Sequence, residues 1–440
     1  MKKIWILAVA LAAAFSVHAQ DVNYDESKVG PYQLEDPLVF ADGKKVRSAR
    51  DWPRRREEIL GIFQREMYGQ MPPAPESMVL ETLEEGTTLG GFGLRKQVRM
   101  WFRADKSGPF IDWLIVLPAR IQKPVPTVLM LNYYGNHTML PDPEIVVTQG
   151  WLRNNSELFI TDHRASEKTR GIMSDPNRAT QIPVSMLAAK GYAFVTACYA
   201  DISPDPDRGD MDASGKKLQE EFAYTGIFDL WGKRDPSRAD NTTALAAWGW
   251  ALMRGMDLIE QDPRLDERRV VLTGSSRLGK AALVAGAFDE RFPVVVPNQT
   301  GGGGVPLAKR NYGENITTET RSFTHWYCKA YAKYAGHEDT MPFDQHLLLA
   351  CVAPRALLVE GFDKGWFDTK GEFLALQAAS PVWKFLGKKG LPNVSWPEDY
   401  DTSAIGPTLG YVRRDLDHGL APIDWLWMLD FAEGVFKGVK

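Results

Sequence analysis

Short runs of apolar residues recur along the chain at 110–117, 127–132, 192–198, 270–273, 294–296 and 356–359. They are rich in Val, Leu and Ile on both faces, as strands buried on both sides of a parallel sheet require. Between them the period changes. Over 243–261, Leu245, Trp248, Leu252, Met256 and Ile259 recur three or four apart and form one apolar helix face. Residues 278–288 and 424–437 also read as helices. Strands alternating with helices predict an α/β fold, a mostly parallel sheet flanked by helices. Residues 136–181 break the rhythm. They are polar, long and irregular, and are expected to form either an insertion near the ligand side or a plain surface excursion. No linker, repeat or low-complexity block follows residue 100. One domain over 20–440 with an N-terminal extension is therefore expected.

The first residues have a pattern of their own. Lys2 and Lys3 precede an apolar stretch over 4–15, and Val17-His18-Ala19 is a small-x-small cleavage motif. This predicts a secretory signal removed after Ala19, hence a periplasmic or secreted protein. The stretch is too short for a membrane span. Cleavage removes two lysines and leaves 50 basic against 56 acidic residues. Such a balance gives no reason to expect a nucleic-acid partner. The 3 cysteines, Cys198, Cys328 and Cys351, lack metal-type spacing and are expected to be buried thiols. No other run is long enough to span a bilayer, and a monomer is expected.

The densest chemistry lies at Val270-Val271-Leu272-Thr273-Gly274-Ser275-Ser276-Arg277-Leu278-Gly279-Lys280-Ala281. A β-branched run enters a Gly-Ser turn and a helix follows, which is what a nucleophile elbow needs. The same letters also read as a phosphate loop, Gly-x-x-x-x-Gly-Lys. That reading fails at the next residue: Ala281 stands where Ser or Thr would hold Mg²⁺. In the elbow reading Gly274 lies two before Ser276, which makes Ser276 the nucleophile rather than Ser275. The second glycine, Gly279, comes one residue later than in Gly-x-Ser-x-Gly. A helix-capping serine would show similar letters, so the order of partners matters. An acid after a later strand and a histidine near the C-terminus complete the hydrolase layout. Asp363 follows the 356–359 run, and His418 lies in a polar turn before the last helix. His137 and His163 precede the serine, and His325, His337 and His346 precede the acid strand, so they fit less well.

Together these residues resemble the glucuronoyl esterases, carbohydrate esterase family 15, in their bacterial form. The family's elbow reads Gly-Cys-Ser-Arg-x-Gly-Lys, and here Ser275 replaces the cysteine. The stretches 132–138, 199–205, 301–304, 310–314, 324–328 and 411–424 are also similar, so the resemblance covers roughly residues 90–435. It implies an α/β-hydrolase fold with no metal or organic cofactor. It also implies cleavage of the ester between glucuronic acid on xylan and an alcohol of lignin. Ser276 would attack, His418 would move the proton, and Arg277 would donate to the oxyanion. Lys280, Glu314 and Trp366 fall on positions that hold the sugar in that family. Many members carry the catalytic acid at the position of Gln299, and an amide cannot supply a charge. Other bacterial members carry it after the next strand, which makes Asp363 the expected acid, with Glu360 and Asp368 as substitutes. A carbohydrate acetyl esterase with the same triad, or a carbohydrate-binding protein with a decayed site, remain the alternatives.

Overall fold

The computed structural model describes residues 22–362 and 366–438. The expected signal segment and Asp363 lie outside the described residues. One nine-stranded sheet organises the chain, in the order β1-β2-β3-β5-β4-β6-β7-β8-β9. The strands are β1 (Val79–Thr88), β2 (Gly93–Trp101), β3 (Phe110–Pro118), β4 (Val125–Asn132), β5 (Ala193–Cys198), β6 (Leu265–Ser275), β7 (Val294–Asn298), β8 (Ala356–Phe362) and β9 (Leu409–Arg414). β1, β2 and β3 pair antiparallel, and β3 joins β5 antiparallel. Every pairing from β5 to β9 is parallel. The six apolar runs are all strands. β1, β2 and β9 are strands that the hydrophobic pattern did not predict.

Alternate residues of the central strands feed two cores, as the period of a strand requires. Leu129, Val195, Leu272, Val295 and Leu357 face one side, with helices Ala244–Gln261 and Arg277–Phe288. Val128, Phe194, Val271, Val294 and Leu358 face the other, with the C-terminal helix Pro422–Phe436. Thr243 caps the Ala244–Gln261 helix by accepting from the Ala246 N–H. The three cysteines are buried and free. No described helix is long and apolar enough to cross a membrane.

Parallel strands present their C-terminal ends along one edge of the sheet, and loops gather there. β6 ends at Ser275, β7 at Asn298 and β8 at Phe362. The irregular insertion contributes Arg153, Asn154 and Arg178 to the same edge, where they line a cavity with Ser276 and His418.

Candidate active site

Ser276 stands between β6 and the helix Arg277–Phe288 with φ 56° and ψ −131°. A residue with a β-carbon rarely adopts such a conformation, and it persists only where its surroundings impose it. The Ser276 N–H donates to the Asn298 carbonyl at 3.0 Å, which ties the turn to the end of β7. Both flanking glycines are needed for the turn. A β-carbon at 274 would lie 2.4 Å from the Leu278 carbonyl oxygen, and one at 279 would lie 2.8 Å from that of Asn298. The late second glycine therefore lets the helix start pack against the end of β7. Ser275 points elsewhere in register: it is 5 % exposed, and its carbonyl accepts from the Tyr133 hydroxyl at 2.7 Å.

His418 follows β9, and its Nδ1 lies 3.0 Å from Gln299 Oε1. The Gln299 amide is oriented by one backbone unit. Its Nε2 donates to the Gly419 carbonyl at 2.9 Å, and its Oε1 accepts from the Gly419 N–H at 2.9 Å. With Oε1 fixed as an acceptor, Nδ1 of His418 must carry the proton. Nε2 is then the nitrogen free to take a proton from a nucleophile. Burial lowers the His418 pKa to about 4, helped by the positive charges of Arg277, Arg414 and Lys280. The ring is therefore neutral at physiological pH.

The loop of His418 is also gripped from behind. Arg414 is fully buried and forms a two-pronged ion pair with Asp424, 2.7 Å on each side. It donates as well to the carbonyls of Asp417, at 3.1 Å, and Gly419. Glu360, a substitute acid by sequence, lies at the end of β8, where its carboxyl accepts from the Asn298 amide. Burial, with the nearby Asp424 carboxylate, pushes its pKa well above the usual carboxylate range. Asp368 is likewise committed: it caps the helix Thr369–Phe385 and pairs with Arg310 at 2.7 Å. Neither can serve as a free anion beside the ring. The residues on either side of Asp363 do approach His418. The ring centroid of Phe362 is 5.3 Å from the imidazole and that of Trp366 is 6.1 Å from it.

On the other side of the serine, Arg277 pairs with Asp205 through Nη1. Asp205 is fully buried and collects three further donors and a second ion pair. Arg153 Nη2 lies 2.9 Å away, His325 Nε2 and Trp326 Nε1 2.8 Å, and the Tyr199 hydroxyl 3.0 Å. Burial alone would raise its pKa, but Arg153 and Arg277 hold it well below the usual range. Arg277 lies over the Trp326 ring at 4.8 Å. Its buried Nε has no acceptor among the described residues, so a donor is left over beside the nucleophile.

Lys280, Glu314 and Trp366 form an adjoining cluster. Lys280 is 3 % exposed and donates to Glu319 at 2.8 Å. Burial pushes Glu319 up to about 7, with Lys280 opposing and Glu314 adding to the rise. Glu314 is also raised by burial, against the pull of Lys280. Glu314 accepts from the Gly302 N–H at 3.0 Å, and its own N–H donates to the Trp366 carbonyl at 3.0 Å. Trp366 is 43 % exposed, large for a tryptophan. Ser276, Arg277 and His418 line one cavity of about 640 Å³. Lys280, Glu314 and Trp366 lie outside its lining, and Trp366 reaches the site through its contact with His418.

Known proteins resemble this chain in sequence and fold. Residues 180–387 match a family described as glucuronyl esterase, fungi. The chain is 37% identical to carbohydrate esterase MZ0003 from an unknown prokaryotic organism, over 94% of this chain and 92% of that one. The chain belongs to the glucuronoyl esterases of carbohydrate esterase family 15. It is a carboxylic ester hydrolase with the α/β-hydrolase fold. A promiscuous esterase of the family from a marine bacterial metagenome superposes with a TM-score of 0.84 at 36% identity, over 94% of this chain and 99% of that one. The glucuronoyl esterase from Solibacter usitatus gives 0.83 at 36% identity, over 94% and 100%.

Several residues of this esterase's site carried no role in the sequence reading. Asp205, His325 and Trp326 lie in stretches noted for their similarity, yet only the fold brings them to one carboxylate. Arg153 comes from the irregular insertion, where nothing in the pattern marks it. Glu319 was invisible because a carboxylate in a short helix usually faces water. Gln299 was noted for lacking charge; the structure makes it the histidine's hydrogen-bond partner.

Proposed function

We propose that this protein is an exported serine esterase that cleaves the ester between glucuronic acid on xylan and an alcohol of lignin. The observation that carries this reading is the elbow itself. A strained serine, a half-buried arginine directly after it and a neutral histidine share one cavity. The relative from Schizophyllum commune, 27% identical over 90% of this chain, is a 4-O-methyl-glucuronoyl methylesterase, which supports a uronic acid as the acyl part.

In this reading Ser276 Oγ attacks the uronoyl carbonyl while His418 Nε2 takes its proton. The developing oxyanion is met by Arg277 and by backbone N–H groups at the helix start. The histidine then protonates the departing alcohol, and water reverses the sequence on the acyl-enzyme. Asp363 supplies the anion that the imidazolium needs. It is attached to Phe362, whose ring already packs on His418. Lys280, Glu314 and Trp366 hold the sugar, and the signal motif at residues 1–19 directs export.

The test is kcat/KM on benzyl glucuronate, methyl galacturonate and acetylated xylan. The glucuronate should lead. A preference for acetylated xylan would make the protein an acetyl esterase. Ser276→Ala should fall to background while Ser275→Ala keeps most activity. Collapse of the Ser275 variant alone would overturn the nucleophile.

A further inference from the structure

A second cavity opens on the same edge of the sheet and shares no lining residue with the first. β3 runs antiparallel to β5, with Trp113 opposite Ala197. The start of β3, Phe110 and Asp112, therefore lies level with the end of β5. The chain turns there into the short helix Tyr199–Ile202, which carries Asp201. The cavity holds about 550 Å³, within the range of small-ligand sites.

Its chemistry is specific. Phe110, Trp151 and Phe222 form apolar walls. Leu83, Phe110 and Val146 around them are unusually exposed for their kind, at 41 %, 36 % and 56 %. Such clusters of exposed apolar residues mark binding surfaces. Between the walls stands the half-buried carboxyl of Asp201. Its one side-chain donor among the described residues is the Thr148 hydroxyl, 2.8 and 2.7 Å from its two oxygens. A hydroxyl has one proton, whereas a carboxylate can accept about four hydrogen bonds. Burial accordingly raises the carboxyl to about 6. The carboxyl packs directly on Gly150, where a β-carbon would lie 1.7 Å from Asp201 Oδ1. Asp112 is already satisfied by the two-pronged pair with Arg99, 2.8 Å on each side. Arg164 is the other cation, so two acidic and two basic side chains line the cavity.

We propose that this cavity is a second glycan subsite, which takes a neutral pyranosyl unit through a vicinal diol on Asp201 and a C–H ring face against the aromatic walls. The diol supplies the two donors that Asp201 lacks, and the apolar face of the ring matches the walls. A uronate is disfavoured because its carboxylate would meet Asp201. A phenolic alcohol offers one donor and leaves the carboxyl under-satisfied. The proposal concerns binding alone and does not require the esterase reading to hold.

The experiment is calorimetric titration of the full-length Ser276→Ala protein with xylotetraose, a neutral oligosaccharide. Asp201→Asn, Trp151→Ala and Val146→Arg are then added one at a time. The parent should bind, and each substitution should weaken binding by about tenfold or more. Val146→Arg sits at an exposed position and obstructs the mouth without touching the interior, so it remains informative if a core variant melts early. Absence of binding to the parent at millimolar sugar would overturn the proposal. So would equal affinity in the parent and all folded variants, which would place the sugar in the catalytic cavity. Binding of benzyl alcohol in preference to xylotetraose, lost in the same variants, would make the site one for aromatic alcohols.

Discussion

On the Arg277 side of Ser276, one buried carboxylate accepts from four side chains, pairs with Arg153 and stays charged. On the His418 side, the ring faces a neutral amide, and burial raises the pKa of the β8 carboxyl Glu360 well above the usual range. The two arms of one site are thus tuned in opposite directions. Arg153 and Arg277 are balanced by Asp205 and Asp207, and Arg277 still turns its positive charge toward His418. The same positive charge disfavours the imidazolium, and Gln299 offers nothing to offset it. The contrast shows that fixing the histidine and stabilising its charged form are separable tasks. Gln299 performs the first by selecting the Nδ1–H tautomer. The second calls for an anion, and Asp363 is the residue we assign to it.

Substitution at the acid should break the contrast most sharply. Asp363→Asn should lower kcat on benzyl glucuronate by up to about 10⁴, the loss seen when a triad acid becomes an amide. Glu360→Gln should change kcat little, because its carboxyl is engaged by the Asn298 amide rather than by the ring. If Glu360→Gln collapses instead, the assignment of the acid is wrong. If both variants stay near wild type, the histidine arm works as a dyad.

On the opposite arm, Arg277→Ala should cost roughly 10²–10³ in kcat, the usual loss of one oxyanion donor. An unchanged kcat in a folded variant would remove the arginine from the mechanism. Asp205→Asn should act indirectly and cost less in kcat than Arg277→Ala. It should also destabilise the fold by about 3–5 kcal/mol, because two buried guanidiniums lose their shared anion. Denaturant melts give the second number. A variant with native stability would show that the cluster does not depend on that charge.

The smallest change should come from making the two arms alike. Gln299→Glu places a carboxylate on Nδ1 and should raise the His418 pKa, moving the acid limb of the kcat/KM profile to higher pH. The sign follows from linkage. The native ring titrates near 4, below its ordinary 6.5. Its contribution to stability is complete above 6.5 and is lost as pH falls through 4. In the variant, activity and this contribution should change at higher pH. An acid limb that stays in place would mean the new carboxyl is itself protonated.

Legibility in the sequence followed burial. β3 to β8 are written in Val, Leu and Ile, so their pattern shows them. β2 is hidden because its buried positions include Arg95 and Gln97, 3% and 5% exposed, satisfied by Glu84, Asp142 and backbone groups. β9 is hidden for the same reason: Arg413 and Arg414 lie inside, and only the fold supplies Pro397 and Asp424 as their partners. The site divides likewise. Ser276 and His418 could be read because their spacing along the chain is fixed by strand and turn. The Asp205 cluster could not, since its donors lie up to 121 residues away.

The φ of 56° at Ser276 has a consequence for anyone who breeds this enzyme. A conformation of that kind costs on the order of 1–3 kcal/mol for a residue with a β-carbon, and glycine adopts it more readily. Heat resistance and catalysis are therefore selected against each other at a single codon. A library scored on thermal survival alone rewards glycine at position 276 and discards the nucleophile. Hardening the protein for industrial use requires selecting on turnover in every round.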